Sequence, residues 1–175
     1  APFLTGVTIS GGEATMQAEF VRELFLAMKG DDDLAHLSTL VDTNGSADDQ
    51  VWESLLDVMD GAMVDLKAID PATHVNLTAR DNTRVLASIR FLAERDKLEE
   101  IRLLIVPGYN DDAGAIERTA LWLADLGVDP KVKIIGYRSH GVRTEAAHIP
   151  DATRASLDGI AAVLAKHGLG RLTVV

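Results

Sequence analysis

The chain has 175 residues, of which 47% are hydrophobic and 25% charged, and its formal net charge is −10. This composition is typical of a globular protein with one sizeable core, and we expect residues 1–175 to form a single domain. The negative charge disfavours nucleic-acid binding, because phosphate backbones would be repelled. No apolar run reaches the roughly 20 residues of a membrane helix and no secretory signal pattern is present, which together favour a cytoplasmic protein.

Six short β-rich runs follow one another along the chain, at residues 6–10, 38–42, 62–66, 101–106, 131–137 and 171–175. Most are continuous apolar runs, which are typical of strands covered on both faces. Segments with apolar residues three or four positions apart separate the runs and predict helices. This alternation predicts an α/β fold with a parallel sheet and right-handed crossovers, either open or curled toward a barrel.

The first predicted strand ends in Gly11-Gly12-Glu13 and leads into a helical pattern. Two glycines expose backbone groups at close range, and the carboxylate that follows can hold an ammonium group. Taken alone, a tight strand-to-helix turn is the simpler interpretation of these residues.

Polar residues also follow the next four predicted strands. They are Asp42-Thr43-Asn44-Gly45, Asp65-Leu66-Lys67, Pro107-Gly108 and Tyr137-Arg138. In α/β folds the ligand crevice lies at the carboxyl ends of the strands, so we expect five strand ends to meet at one edge.

Asp42 and Asp65 would then lie close enough to need a cation between them, either Lys67 or a metal ion. A capped turn is an equally good interpretation of the residues after Asp42. Arg102 stands in a buried-looking strand, where a guanidinium is costly without a carboxylate. It is either the partner of one of these acids or a binder of a substrate carboxylate.

The chain contains four methionines and two tryptophans, which we expect to fill the core. It contains no cysteine. This count excludes disulfides, thiolate catalysis and any iron–sulfur cluster held by this chain itself.

Five segments in order resemble the activating enzymes of glycyl-radical enzymes such as pyruvate formate-lyase, which belong to the radical S-adenosylmethionine superfamily. The segments are GVTISGGEATMQAEFVRELFLAMK, DTNG, MVDLKAID, IRLLIVPGYNDD and KVKIIGYRSHG, and they cover nearly the whole chain. The resemblance implies a partial, open TIM-like (β/α) barrel, present here from its second strand onward.

The resemblance also implies a binding site for S-adenosylmethionine. Gly11, Gly12 and Glu13 would contact the amino group of the cofactor. The other implied contacts are Lys67 and Arg102 near its carboxylate or ribose, Leu104 and Ile135 in the adenine pocket, and Arg138 at the position of a family histidine.

The resemblance implies a monovalent cation beside the cofactor, held by Asp42 and Asp65 with the carbonyls of Thr43 and Met63. Arg138 could replace this cation, because it adds a positive charge that the family histidine lacks. A further departure is Ala79, which stands where the family has the glycine of an LTG sequence.

In the family, a CxxxCxxC loop holds a [4Fe-4S] cluster, and this loop is missing from the chain. The resemblance therefore implies a fragment of an oxidoreductase. The full-length protein would reductively cleave S-adenosylmethionine with electrons from a donor such as flavodoxin or ferredoxin, and generate a glycyl radical on its partner enzyme.

Two other interpretations remain open. The chain could be a complete cysteine-free protein that binds a nucleoside or peptide without redox chemistry. It could also be a non-radical barrel enzyme that uses Asp42, Asp65 and a divalent metal ion.

We predict that the 175-residue chain alone is inactive, because it has no thiolate to ligate a cluster. Anaerobic reconstitution with iron and sulfide should leave no iron–sulfur absorption band, and added S-adenosylmethionine should remain uncleaved. A stable band that stays with the protein on gel filtration would contradict the prediction.

Overall fold

The computed structural model describes residues 4–146 and 148–175. Twelve strands and helices follow one another in these residues. They are β1 (Gly6–Ile9), α1 (Ala18–Lys29), β2 (Ser38–Thr43), α2 (Asp49–Leu55), β3 (Gly61–Leu66), α3 (Pro71–Thr78), α4 (Thr83–Glu94), β4 (Leu98–Ile105), α5 (Ala113–Ala124), β5 (Lys131–Gly136), α6 (Arg154–Lys166) and β6 (Leu172–Val174).

The strands form one open sheet whose order follows the chain from β1 to β6. The pairs are parallel, with Val7 opposite Thr39 on β1 and β2, and Arg102 opposite Lys133 on β4 and β5. All six predicted strands are present, and β4 begins three residues earlier than predicted, at Leu98. The predicted α/β fold with an open parallel sheet is thus confirmed.

The chain divides into two compact units, which are described separately below. The first unit comprises the residues up to Val64 together with Arg84–Glu99, and the second comprises Asp65–Thr83 with Glu100–Val175. The single domain that the composition favours stays a prediction.

The expectation that the strands are covered on both faces is wrong. On β4, Ile101, Leu103 and Ile105 are buried, whereas Arg102 and Leu104 between them are only half-buried. The burial of β5 alternates in the same way, and α6 packs against β5 and β6 within the second unit. One face of these strands therefore packs in the core while the other is left more open, as the charged residues at alternate positions require.

The core of the first unit contains a buried chain of hydrogen bonds. Trp52 is fully buried, and its indole N–H donates to the Ser88 hydroxyl at 2.8 Å. Ser88 in turn donates to the carbonyl oxygen of Gly45 at 2.9 Å. Gly45 has a φ of 73°, and a Cβ atom there would lie 2.9 Å from Val64, so the turn after β2 needs glycine.

The sequence predicted that the methionines fill the core. In the first unit this is confirmed for two methionines and wrong for one. Met28 and Met59 are buried, whereas Met16 is 81% exposed. Met16 lies in a 3₁₀ turn, Ala14–Gln17, that buries Ala14 and Thr15 instead. A helical apolar pattern could not assign it correctly, because side chains repeat differently in a 3₁₀ turn.

In the second unit, the core lies between the strands and the packed pair α5 and α6. The deeply buried side chains are aliphatic, and include Ile101, Ile105, Leu123, Ile134, Leu157 and Leu164.

Helix α3 was not predicted from the apolar pattern. Asp70 begins it by accepting a hydrogen bond from the Thr73 N–H at 2.8 Å, and Pro71 occupies its first turn. Ala79 ends it in the left-handed conformation, with a φ of 60°, and donates its N–H to the Val75 carbonyl at 2.7 Å. Side-chain and backbone caps thus define this helix, because its apolar residues form no clear stripe.

No helix among the described residues is long and apolar enough to cross a membrane.

We predict that Ala79→Gly raises the free energy of unfolding by about 1 kcal/mol, since glycine adopts the left-handed conformation without the steric cost of a Cβ atom. Urea denaturation of the purified chain measures the change. Ala87→Gly is the matched control, because Ala87 is exposed within α4, and there the same replacement should lower stability by about 1 kcal/mol. A loss of stability in both variants would contradict the role of the backbone conformation at Ala79.

Candidate functional site

The turn after β1 exposes its backbone. Gly11 and Gly12 are both exposed, and a Cβ atom built on either would meet no atom within 4 Å. The adjoining depression has a volume of about 300 Å³ and is lined by residues from Ile9 to Val21. A ligand can therefore approach the main chain of these two glycines closely.

Glu13 follows the glycines, and its carboxylate accepts four hydrogen bonds. Oε1 accepts from the N–H of Thr15 at 3.0 Å, from the Thr15 hydroxyl at 2.7 Å and from the Thr43 hydroxyl at 2.8 Å. Oε2 accepts from the N–H of Asn44 at 2.7 Å. The side chain therefore joins the turn after β1 to the end of β2, and it caps the 3₁₀ turn as well.

The two oxygens of Glu13 are engaged unequally. A carboxylate offers about four acceptor positions, two on each oxygen. Three of the four hydrogen bonds end on Oε1, so Oε2 keeps room for another donor. The strand-to-helix turn that the sequence suggested at Gly11-Gly12-Glu13 is thus present. It leaves the Glu13 carboxylate able to accept a bond from an ammonium group.

Three of the four residues predicted to hold a cation lie in the first unit. Thr43 is buried, and its hydroxyl both donates to Glu13 and accepts the Gly45 N–H at 3.0 Å. Asp42 stands opposite Met63 in the parallel pairing of β2 with β3. The assignment of these residues to a cation stays a prediction.

Asp65 and Lys67 form an ion pair in the second unit. The ammonium nitrogen of Lys67 lies 2.8 Å from Oδ2 of Asp65, and the two side chains are about one quarter and one third exposed. Lys67 therefore balances the charge of Asp65. A position of Lys67 between Asp42 and Asp65 stays a prediction.

The part of the chain that the structure describes contains no group of three or more His, Cys, Asp or Glu side chains arranged to hold a metal ion. The barrel enzyme that uses Asp42, Asp65 and a divalent metal ion stays a hypothesis.

Asn110 is a site-building residue that the sequence did not reveal. Its side-chain amide is buried and donates to the carbonyl oxygens of Lys67 and Leu104, both at 2.7 Å. Its oxygen accepts the Val106 N–H, also at 2.7 Å. Within the second unit, these three bonds fix the chain just after β3 and at the end of β4. The only signal in the sequence was the position of Asn110 in the PGYNDD loop directly after β4.

The predicted adenine-pocket residues Leu104 and Ile135 lie side by side on β4 and β5. Arg102, two residues before Leu104, donates through Nε to Glu100 at 3.1 Å, and both side chains are mostly buried. Arg102 thus has a carboxylate partner, Glu100, on its own strand, and this ion pair gives Arg102 a structural role.

Leu104 and Lys67 also line a larger pocket of the second unit, with a volume of about 580 Å³. Its apolar floor is a buried cluster of Val106, Tyr137 and Ile149. This volume is within the range of small-molecule and cofactor sites.

Arg138 pairs with Asp151 in the structure, with 3.7 Å between Nη1 and Oδ2. The Ser139 N–H donates to Asp151 at 2.7 Å, and this bond together with the charge of Arg138 holds the pKa of Asp151 below its usual value. The guanidinium is 64% exposed. The idea that Arg138 replaces a cation gains no support from this geometry.

Comparison with known proteins places the chain among proteins of one superfamily. A family model described as the Radical SAM superfamily matches residues 1–123. A domain of pyruvate-formate lyase-activating enzyme from Bacteroides vulgatus has the same fold, with a TM-score of 0.80 and 25% identity over 97% of this chain and 98% of that one. The expectation of a partial, TIM-like barrel of this superfamily is confirmed.

Curated relatives with sequence similarity carry related names. The chain is 38% identical over 138 residues to pyruvate formate-lyase 1-activating enzyme of Escherichia coli K12, which is 78% of this chain and 54% of that enzyme. It is 33% identical over 143 residues to pyruvate formate-lyase-activating enzyme of Staphylococcus aureus USA300, covering 78% of this chain and 55% of that enzyme. The matches thus span about half the length of these relatives.

We predict that Glu13→Gln lowers the free energy of unfolding by about 2 kcal/mol, because an amide presents a donor to partners that are themselves donors. Urea denaturation at neutral pH measures the loss. Glu53→Gln, an exposed position on α2, removes the same charge and should change stability by less than about 0.5 kcal/mol. Equal effects of the two substitutions would contradict the role of Glu13 as a clamp.

Proposed function

The chain belongs to the radical SAM superfamily, and on that premise we propose that it is the S-adenosylmethionine-binding part of an activating enzyme for a glycyl-radical enzyme. The observation that carries the proposal is the Gly11-Gly12-Glu13 turn, where an exposed main chain adjoins a carboxylate that is fixed in place. The remaining predicted contacts with the cofactor belong to the proposal as well.

The residues of this turn fit the methionine end of S-adenosylmethionine. Its amino group is an ammonium donor, and Oε2 of Glu13 has acceptor capacity left beside its bond from Asn44. The absence of side chains at Gly11 and Gly12 lets the polar atoms of a ligand reach the backbone. The chain's own contribution is therefore to bind and orient the cofactor.

A [4Fe-4S] cluster does not fit the residues of this chain, because such clusters are held by cysteine thiolates and the chain has none. The proposal therefore requires that the cluster ligands lie outside these 175 residues. The full-length protein would cleave the cofactor with electrons from a donor such as flavodoxin or ferredoxin.

The proposed partner is a glycyl-radical enzyme, on which the complete protein generates the radical. The names of the relatives from Escherichia coli and Staphylococcus aureus, which are 38% and 33% identical, support this partner. We also keep a monovalent cation at Asp42, Thr43, Met63 and Asp65 as part of the proposal, although Lys67 already neutralises Asp65.

A second candidate is a cysteine-free protein of the same fold that binds a nucleoside or peptide. The lack of cysteine is the observation that favours it. The two candidates differ in whether added cluster ligands produce activity.

We predict that Gly12→Ala weakens S-adenosylmethionine binding at least tenfold and leaves stability almost unchanged. The added methyl group meets no protein atom, so it occupies only the space that the ligand needs. Because no iron anchors the methionine end in this chain, we expect the unsubstituted chain to bind more weakly than micromolar. Ligand-observed NMR detects binding in this range.

The control is Gly159→Ala, at a position on α6 where a Cβ atom also meets nothing, and binding there should be unchanged. A fusion that supplies the cysteine loop of the Escherichia coli relative tests the activity. With a reductant and pyruvate formate-lyase it should give a glycyl-radical EPR signal that Gly12→Ala reduces. Cofactor cleavage without any glycyl radical would contradict the activating role.

A further inference from the structure

A buried amide lies behind the wall of the pocket in the second unit. It belongs to Asn110, which follows β4 in the PGYNDD loop. The orientation of the amide is unambiguous, because its nitrogen faces two carbonyl oxygens, which only accept, and its oxygen faces an N–H, which only donates. Both amide hydrogens and the amide oxygen are therefore bonded within the chain.

The three backbone groups that Asn110 bonds belong to residues that line this pocket. They are the carbonyl oxygens of Lys67 and Leu104 and the N–H of Val106, each 2.7 Å from an atom of the amide. Asn110 itself is not among the described residues that line the pocket. It would therefore act on a ligand through the residues that it holds.

The loop that carries Asn110 is itself ordered by hydrogen bonds. The Gly108 N–H donates to Oδ1 of Asp111 at 2.8 Å, and the Tyr109 N–H donates to the Val106 carbonyl at 3.1 Å. The amide of Asn110 thus extends from a fixed backbone, and this allows it to hold other segments in place.

Lys67 and Leu104 both lie close to the end of a strand. Lys67 follows Leu66, the last residue of β3, and Leu104 is the last residue but one of β4. A backbone carbonyl beyond the paired part of a strand needs a donor from elsewhere, because the ladder no longer supplies one. Asn110 donates to both carbonyls at once, so it fixes the distance between these two segments.

We propose that Asn110 is a positioning residue of the S-adenosylmethionine site, which sets the spacing of Lys67 and Leu104 and thereby the fit of the cofactor. Both are predicted cofactor contacts, and the ion pair with Asp65 at 2.8 Å orients Lys67 further. Asn110 bonds the main chain of both residues, so a shift of either backbone moves the side chain that meets the ligand. This inference rests on the proposed function for the identity of the ligand.

Asn82 offers a matched comparison in the same unit. It is also a buried amide, and it donates to the carbonyl oxygens of Ala68 at 3.0 Å and Ile69 at 2.7 Å. The described lining of the pocket includes neither Ala68 nor Ile69. The two asparagines therefore make the same kind of bonds but differ in whether their partners line the pocket.

The test compares Asn110→Ala with Asn82→Ala. Both should lower the midpoint of urea denaturation, because each leaves two carbonyl oxygens without their donor. Ligand-observed NMR should show that Asn110→Ala weakens S-adenosylmethionine binding about tenfold, while Asn82→Ala leaves it nearly unchanged. Asn110→Ser should recover part of the affinity, since its hydroxyl can still donate to a carbonyl. Equal weakening by both alanine variants would assign Asn110 a role in stability alone and refute the proposal.

A second measurement needs no ligand. Methyl NMR spectra of the free chain report the side-chain conformation of Leu104. Asn110→Ala should shift the Leu104 methyl signals toward values averaged over several rotamers, whereas Asn82→Ala should leave them in place. Asn110→Ser replaces the alanine variant if that variant does not fold. Unchanged Leu104 signals in a folded Asn110 variant would overturn the proposal.

Failure of the positioning role and failure of the proposed function give different results. If the unsubstituted chain does not bind S-adenosylmethionine, the proposed function is wrong, and the methyl spectra alone decide whether Asn110 holds the pocket wall. If the cofactor binds equally well to the unsubstituted chain and to Asn110→Ala, the proposed function stands and the positioning role is wrong.

Discussion

Parallel pairing of the strands is the constraint on which the functional surface depends. In a parallel pair the carboxyl ends of neighbouring strands lie at the same edge, so the loops that follow them gather there. In the first unit this places the glycine turn after β1 beside the end of β2, where Thr43 and Asn44 reach Glu13. In the second unit the same rule places Leu104 beside Ile135. The order of the strands in the sheet thus determines which loops lie close enough to form a site together.

In each unit, a polar side chain near the strand ends bonds several backbone groups. Glu13 accepts from two backbone N–H groups in the first unit, and Asn110 bonds three backbone groups in the second. A loop at a strand end has few backbone partners of its own, and unsatisfied polar groups are costly when buried. Such side chains allow irregular segments to stay fixed without adding a helix or strand.

The fold was largely predictable from the sequence, because apolar runs and helical periodicity report local burial. Helix α3 was not predicted from periodicity, because its caps and not an apolar stripe define it. Its start was nevertheless visible in the sequence, since Asp70-Pro71 is a typical helix-start signal. The one-sided burial of β5 was also readable, since Lys131 and Lys133 alternate with Val132 and Ile134. The sequence predicted that the residues after β1 and β2 meet at one edge, but it did not predict the hydrogen bonds from Thr43 and Asn44 to Glu13, because these residues lie about 30 positions away and their exact approach depends on the folded sheet.

The hydrogen bonds around Glu13 also mean that the free-energy cost of ordering its carboxylate arises during folding and not during ligand binding. The carboxylate is already oriented and partly desolvated in the folded chain, so these costs belong to the stability of the fold rather than to binding. A ligand therefore meets a preorganised acceptor and loses less entropy on association. It follows that the hydroxyls of Thr15 and Thr43, which donate to Oε1 of Glu13, influence affinity through the carboxylate, because removal of either hydroxyl loosens the acceptor.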